Sequence, residues 1–134
     1  MAPENGLKKT FRISVDNQEM IQIEFLKGVN DVTANVQQAE LIKQNFLQIF
    51  QDNQDKKFNC LVDLSPIRIG AHYPSPQARQ LYADVVDHPR MAKIAVIAPN
   101  VLLRSIMRFV VSASKKRRIS LFKSKVKAID WLKK

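Results

Sequence analysis

Apolar and polar residues alternate in the first patterned stretch of the chain. Phe11, Ile13 and Val15 are separated by Arg12 and Ser14, and after the polar break Asp16-Asn17-Gln18 the pattern resumes over Met20-Ile21-Gln22-Ile23-Glu24-Phe25. A period of two belongs to a strand with one buried face, so these two runs predict a β-hairpin. The period then changes. After a turn at Lys27-Gly28-Val29-Asn30, apolar residues Val36, Ala39, Ile42, Phe46, Leu47 and Phe50 recur at helical spacing, with Thr33 as the expected N-cap and Gln, Lys and Asn on the opposite face. Beyond the polar connection Asp52 to Lys57, the short apolar run Phe58 to Leu64, which includes Asp63, predicts a buried strand.

The second half repeats the strand-then-helix alternation. Pro66, Gly70, Pro74 and Pro76 mark a long loop, and Ser75 is placed to cap a helix from Pro76 to about Val86, with proline at its first position and His88-Pro89 closing it. Lys93 to Ala98 predicts another buried strand, Pro99-Asn100 opens a helix to about Ser114, and Ile119 to Phe122 is a last short strand. Ser124 then caps a final helix through Leu132, where Val126, Ile129 and Leu132 are at helical spacing. The order ββαβαβαβα predicts an α/β fold with a mostly parallel sheet and an N-terminal antiparallel hairpin. Residues 1–9 are expected to be a flexible lead-in and 10–134 a single domain, because 134 residues suffice for one core.

Composition adds little until charge is divided along the chain. Residues 1–87 hold 9 Lys/Arg against 11 Asp/Glu, whereas the last 47 residues hold 13 against 1, so the net charge of +10 comes entirely from the C-terminal third. Such asymmetry points to an anionic partner, or to a basic face kept for solubility. The single cysteine, Cys60, lies in an apolar strand and is expected to be a buried, inert thiol. The early apolar stretch Phe11 to Phe25 is interrupted by Arg12, Asp16 and Glu19, which fits neither a leader nor a membrane span, so the chain reads as soluble and cytoplasmic.

Several strings occur in an order that resembles the SpoIIAA-like or STAS superfamily: Gly28 before the first helix, Leu61-Val62-Asp63-Leu64-Ser65 at a strand end, Lys93-Ile94-Ala95-Val96-Ile97-Ala98, and Phe122 followed by Ala128-Ile129-Asp130-Trp131-Leu132. The resemblance implies a SpoIIAA-like architecture and a regulatory or interaction role. In signalling members of that superfamily, a phosphorylatable serine stands at the helix start after the comparable strand, within Asp-Ser-Ser-Gly. Here the corresponding string is Tyr73-Pro74-Ser75-Pro76, without the acidic neighbour or the glycine, so Ser75 reads as a helix cap.

Catalytic motifs are lacking. There is no Gly-x-Gly phosphate loop, and His72 and His88 are not in metal-ligand spacing with Cys60 or with each other, so no cofactor or metal is expected. Asp63 sits where a parallel strand ends, the usual side for ligands in open α/β sheets, although a carboxylate there also accepts N–H groups of the following turn. The candidate ligand or partner loop comprises Asp63, Ser65, Arg68, His72, Ser75 and Arg79. A second candidate is a basic surface in which Arg104, Arg108 and Lys115 fall on one helical stripe, Lys116, Arg117 and Arg118 continue it, and Lys123, Lys125, Lys127, Lys133 and Lys134 extend it if the last two helices are neighbours. The leading expectation is a noncatalytic SpoIIAA-like module for a partner protein or small anionic ligand, with a weak homodimer left open. The alternative is nucleic-acid or anionic-membrane binding through the basic end. An enzyme ranks third, for want of a nucleophile paired with a base.

Overall fold

The computed structural model describes residues 6–16, 20–27, 29, 31–67, 75–98, 101, 104, 105, 108 and 118–134. Its five-stranded sheet has the order β1-β2-β3-β4-β5, so every strand lies beside its sequence neighbour. Strands β1 (Phe11–Val15) and β2 (Met20–Phe25) form the antiparallel hairpin, with Phe11 opposite Phe25 and Val15 opposite Ile21. The strands β3 (Phe58–Asp63), β4 (Met91–Ile97) and β5 (Ile119–Phe122) continue the sheet in parallel with β2. Helix α1 (Val32–Asp52) joins β2 to β3, α2 (Pro76–Val86) joins β3 to β4, and α3 (Lys125–Lys133) follows β5. The α/β class and the mixed sheet agree with the reading of the sequence. None of the described helices is long and apolar enough to cross a membrane.

Sequential parallel strands joined by right-handed crossovers place the intervening helices on one side of the sheet. Helices α1 and α2 both lie on that side. Leu41, Ile42, Phe46 and Phe50 of α1 and Val85 of α2 pack there against Ile21, Ile23, Cys60, Ile94 and Val96. Because side chains alternate along a strand, the neighbouring residues Met20, Leu61, Ala95 and Ile97 face the other way, where Ala128 and Leu132 of α3 cover them. The nine-residue α3 covers mainly β3–β5. Over β1 and β2 the same face carries Arg12, Ser14, Gln22 and Glu24, with Arg12 and Glu24 paired across the strands at 3.4 Å.

Several local expectations change. Asp31 caps α1, its carboxylate accepting the Ala34 N–H at 2.9 Å, and Thr33 falls within the first turn. Leu47, expected in the core stripe, is 41% exposed. By contrast Gln38, expected on the polar face, is 3% exposed because it lies beside Ala39 and one turn before Ile42. Its amide donates to Thr10 Oγ1 at 2.8 Å, and that hydroxyl donates to the Leu7 carbonyl, so a buried polar chain is satisfied at each step. Leu7 itself is buried in the main core, so packing begins before Thr10. Strand β4 begins at Met91, two residues earlier than expected, and β3 ends at Asp63.

Three cations of the basic C-terminal stretch serve the fold by meeting carbonyl oxygens. Arg90 donates to Phe50 O at 2.7 Å and Asn53 O at 2.6 Å, closing the end of α1. Lys93 donates to Trp131 O at 3.2 Å and Lys134 O at 3.1 Å while its ammonium lies 5.2 Å from the Trp131 ring centroid, fixing the end of α3. Arg104 donates to Ala98 O, just past β4. Asn59 assists at the irregular register between Phe58 and Cys60, accepting the Lys93 N–H and donating to Leu132 O.

Candidate functional site at the carboxyl edge of the sheet

Strands β2 to β5 run in the same direction, so their carboxyl ends and the starts of all three helices gather at one edge. The segment Gly6–Thr10 joins them because β1 begins opposite the end of β2, and the Thr10 carbonyl accepts the N–H groups of Leu26 and Lys27. This is the edge at which open α/β sheets present ligand sites.

At its centre, Asp63 closes β3. Its Oδ1 accepts both the backbone N–H of Ser65 at 2.9 Å and the Ser65 hydroxyl at 2.6 Å, while Leu64 N–H continues to Ile97 O. The carboxylate thereby shapes the turn that leaves the sheet, as an Asx-type turn requires. Ser75 begins α2 in an extended conformation, and its Oγ accepts the Ala78 N–H at 3.2 Å. It is a helix cap, as its position before Pro76 predicts, and such a cap contributes about 1 kcal/mol. Arg79 is half-buried in the first turns of α2. Arg68 and His72 lie outside the described residues.

Two further groups near this centre are chemically quiet. Tyr82 packs edge-on to Phe25, with ring centroids 6.3 Å apart, and burial pushes its phenol above the ordinary range. Cys60, three residues back along β3, is 2% exposed, and burial raises its thiol to about 12, which keeps it protonated and a poor nucleophile. His88 is remote, at the opposite edge. Its ring stacks on Phe50 with centroids 4.3 Å apart and accepts the Arg90 backbone N–H at Nδ1, while the His88 backbone N–H donates to Val85 O at the end of α2. No group of three or more His, Cys, Asp or Glu able to hold a metal occurs among the described residues.

The expected basic helix is only partly described. Val101, Arg104, Ser105 and Arg108 are helical, whereas Lys115, Lys116 and Arg117 lie outside the described residues. Arg104 is half-buried with a bond to Ala98 O, and Arg108 is exposed, so the two do not present equal charges to solvent. Arg118 is not on that helix: it precedes β5 in extended chain, and its carbonyl accepts the Ile94 N–H at 2.8 Å. It therefore stands at the amino edge, with Lys133 and Lys134.

A different gathering of charge is hidden in the linear sequence. Lys8, Lys9 and Lys27, from the part of the chain with a net negative balance, share the carboxyl edge with Lys123, Lys125 and Lys127, and all six are exposed. The acids described at this edge are Asp31, which caps α1, Asp63, and Glu24, which lies opposite Asp63 in the β2–β3 register and pairs with Arg12. The opposite edge mixes Asp16, Asp52, Asp55 and Asp87 with its cations. Only the pairing of Phe11 with Phe25 could have located the N-terminal lysines, since it carries the start of the chain to the ends of the parallel strands. No family model matches this chain, and the curated proteins hold no match to it.

Proposed function

We propose that the chain is a noncatalytic regulatory or interaction module of SpoIIAA-like type that binds a partner protein or a small anionic ligand at the carboxyl edge of its sheet. The observation that carries this reading is how the central polar groups are used. The Asp63 carboxylate is engaged by Ser65 and the Ser75 hydroxyl by the first turn of α2, while exposed lysines flank them on both sides. Side chains spent on shaping backbone favour recognition over proton or acyl transfer, which needs a nucleophile within reach of a base. The alternative, nucleic acid at the basic end, retains exposed Arg108 and Arg118. It gains no stacking platform from Phe122 and Trp131, which pack on each other with centroids 5.6 Å apart.

Titration of the isotopically labelled protein with inorganic phosphate tests the reading. Saturable amide shifts are expected at Ser65, Ala78 and the lysine-bearing turns around Lys27 and Lys127. Small unsaturable shifts spread equally over both edges of the sheet would contradict it.

A further inference from the structure

The carboxyl edge combines its lysines with exposed aliphatic residues. Val32 at the start of α1 is 65% exposed, and Val101 after β4 and Val126 in the first turn of α3 are each 70% exposed, more than any other large apolar residue described. All three stand at or just beyond the carboxyl ends of parallel strands: Val32 follows β2, Val101 follows β4, and Val126 follows β5. Ala98 N–H donates to Phe122 O at 2.9 Å, which brings the chain leading to Val101 alongside the chain leading to Val126. Lys123, Lys125 and Lys127 surround Val126 in sequence, and Lys8, Lys9 and Lys27 stand at the β1–β2 end of the same edge. Five strands spaced about 4.8 Å apart make this edge roughly 20 Å wide.

From this juxtaposition we infer that the carboxyl edge docks on an anionic lipid bilayer surface, the lysines meeting headgroup phosphates and carboxylates while Val32, Val101 and Val126 enter the interfacial layer. A polybasic surface gains about fivefold in partitioning per lysine near an anionic leaflet, and small apolar insertions add to that attraction. The valines distinguish a bilayer from a nucleic acid. A duplex presents phosphates and sugars to a nonspecific binder and gives exposed aliphatic tips nothing to enter, whereas bases of a single strand would call for aromatic faces. Two of the lysines also stand in the first turn of α3, where the positive end of the helix dipole disfavours cations. An anionic surface relieves that repulsion.

The inference reaches beyond recognition of a ligand at the Asp63–Ser75 centre, and the two can fail separately: phosphate can shift the Ser65 and Ala78 amides in a protein that ignores vesicles, and the reverse. The test is co-sedimentation of the full chain with vesicles of phosphatidylcholine alone and of phosphatidylcholine with phosphatidylserine, over a range of salt. The wild type is expected to bind the mixed vesicles at low salt, to release with rising salt, and to leave neutral vesicles unbound. A Lys123→Glu, Lys125→Glu, Lys127→Glu variant is expected to lose at least about a hundredfold in partitioning. A Val32→Asp, Val126→Asp variant is expected to lose several-fold while keeping its circular dichroism spectrum, since both valines are exposed. Absence of binding to the anionic vesicles, or binding that neither variant weakens, would overturn the inference. So would tighter binding to a mixed-sequence duplex than to vesicles with the valine variant unaffected on both.

Discussion

Replacing Phe58 with alanine is expected to lower the free energy of unfolding by about 3–5 kcal/mol, a large part of the roughly 5–15 kcal/mol available to an ordinary domain. Phe58 is 1% exposed at the start of β3, and its ring lies 6.1 Å from that of Phe50. Phe50 is in turn 6.2 Å from Phe46 and stacked on His88, so the four rings fill the space beneath the end of α1. The same end is held by Arg90, whose carbonyl accepts the Phe58 N–H while its guanidinium holds Phe50 O and Asn53 O. The backbone bonds resist collapse into the space vacated, so most of the cavity cost should persist. Urea unfolding of the variant measures it, and a loss below about 1 kcal/mol would mean that the site refills easily.

Leu132→Ala is expected to cost about 2–5 kcal/mol through the second core, on the other face of the sheet. Leu132 is 4% exposed and packs with Met20, Leu61, Ala95 and Ile97. The helix that carries it is short, and its carbonyl end is pinned by Asn59 and Lys93, so it cannot slide inward to replace the lost methyl groups. Since Phe58 and Leu132 belong to different clusters, the two losses should add to within about 0.5 kcal/mol in the double variant. The measurement is again urea unfolding. A coupling above about 1 kcal/mol would show that the two layers do not respond independently.

The layers were legible because periodicity reports burial directly. Two-residue alternation gave β1 and β2, and the longer apolar runs of β3 and β4 belong to strands covered on both faces, as Cys60 against Leu61 and Ile94 against Ala95 demonstrate. Ser75 and Ser124 were placed correctly as caps, since a serine before a helical run has little other local role. Asp31 and Thr33 are both capping residues two positions apart, and only backbone geometry shows that Asp31 is the cap. Gln38 is a polar residue at a core position, which residue type alone does not reveal. Its burial depends on Thr10, 28 residues away, which no local pattern reveals.

Of the candidate site, the turn at Asp63 and the cap at Ser75 were legible, and the location of the charge was not. Division of the chain by sequence assigned the basic excess to its last third, yet Arg90, Lys93 and Arg104 there meet backbone carbonyls. Lys8, Lys9 and Lys27 were counted with the acidic part, although strand pairing sets them on the same edge as Lys123, Lys125 and Lys127. Charge becomes a surface property only once the sheet order is known.

The direct test of the carboxyl edge as the recognition face compares two charge reversals of equal size by salt elution from immobilised heparin, a polyanion that serves both as probe and as competitor. One variant carries Lys123→Glu, Lys125→Glu and Lys127→Glu at the carboxyl edge, and the other Lys57→Glu, Lys133→Glu and Lys134→Glu at the amino edge, all at exposed positions. The carboxyl-edge variant is expected to elute at a much lower salt concentration than the wild type and the amino-edge variant close to it. Equal reductions in the two variants would contradict the account, because the anion would then be responding to net charge alone and not to the edge where the parallel strands end.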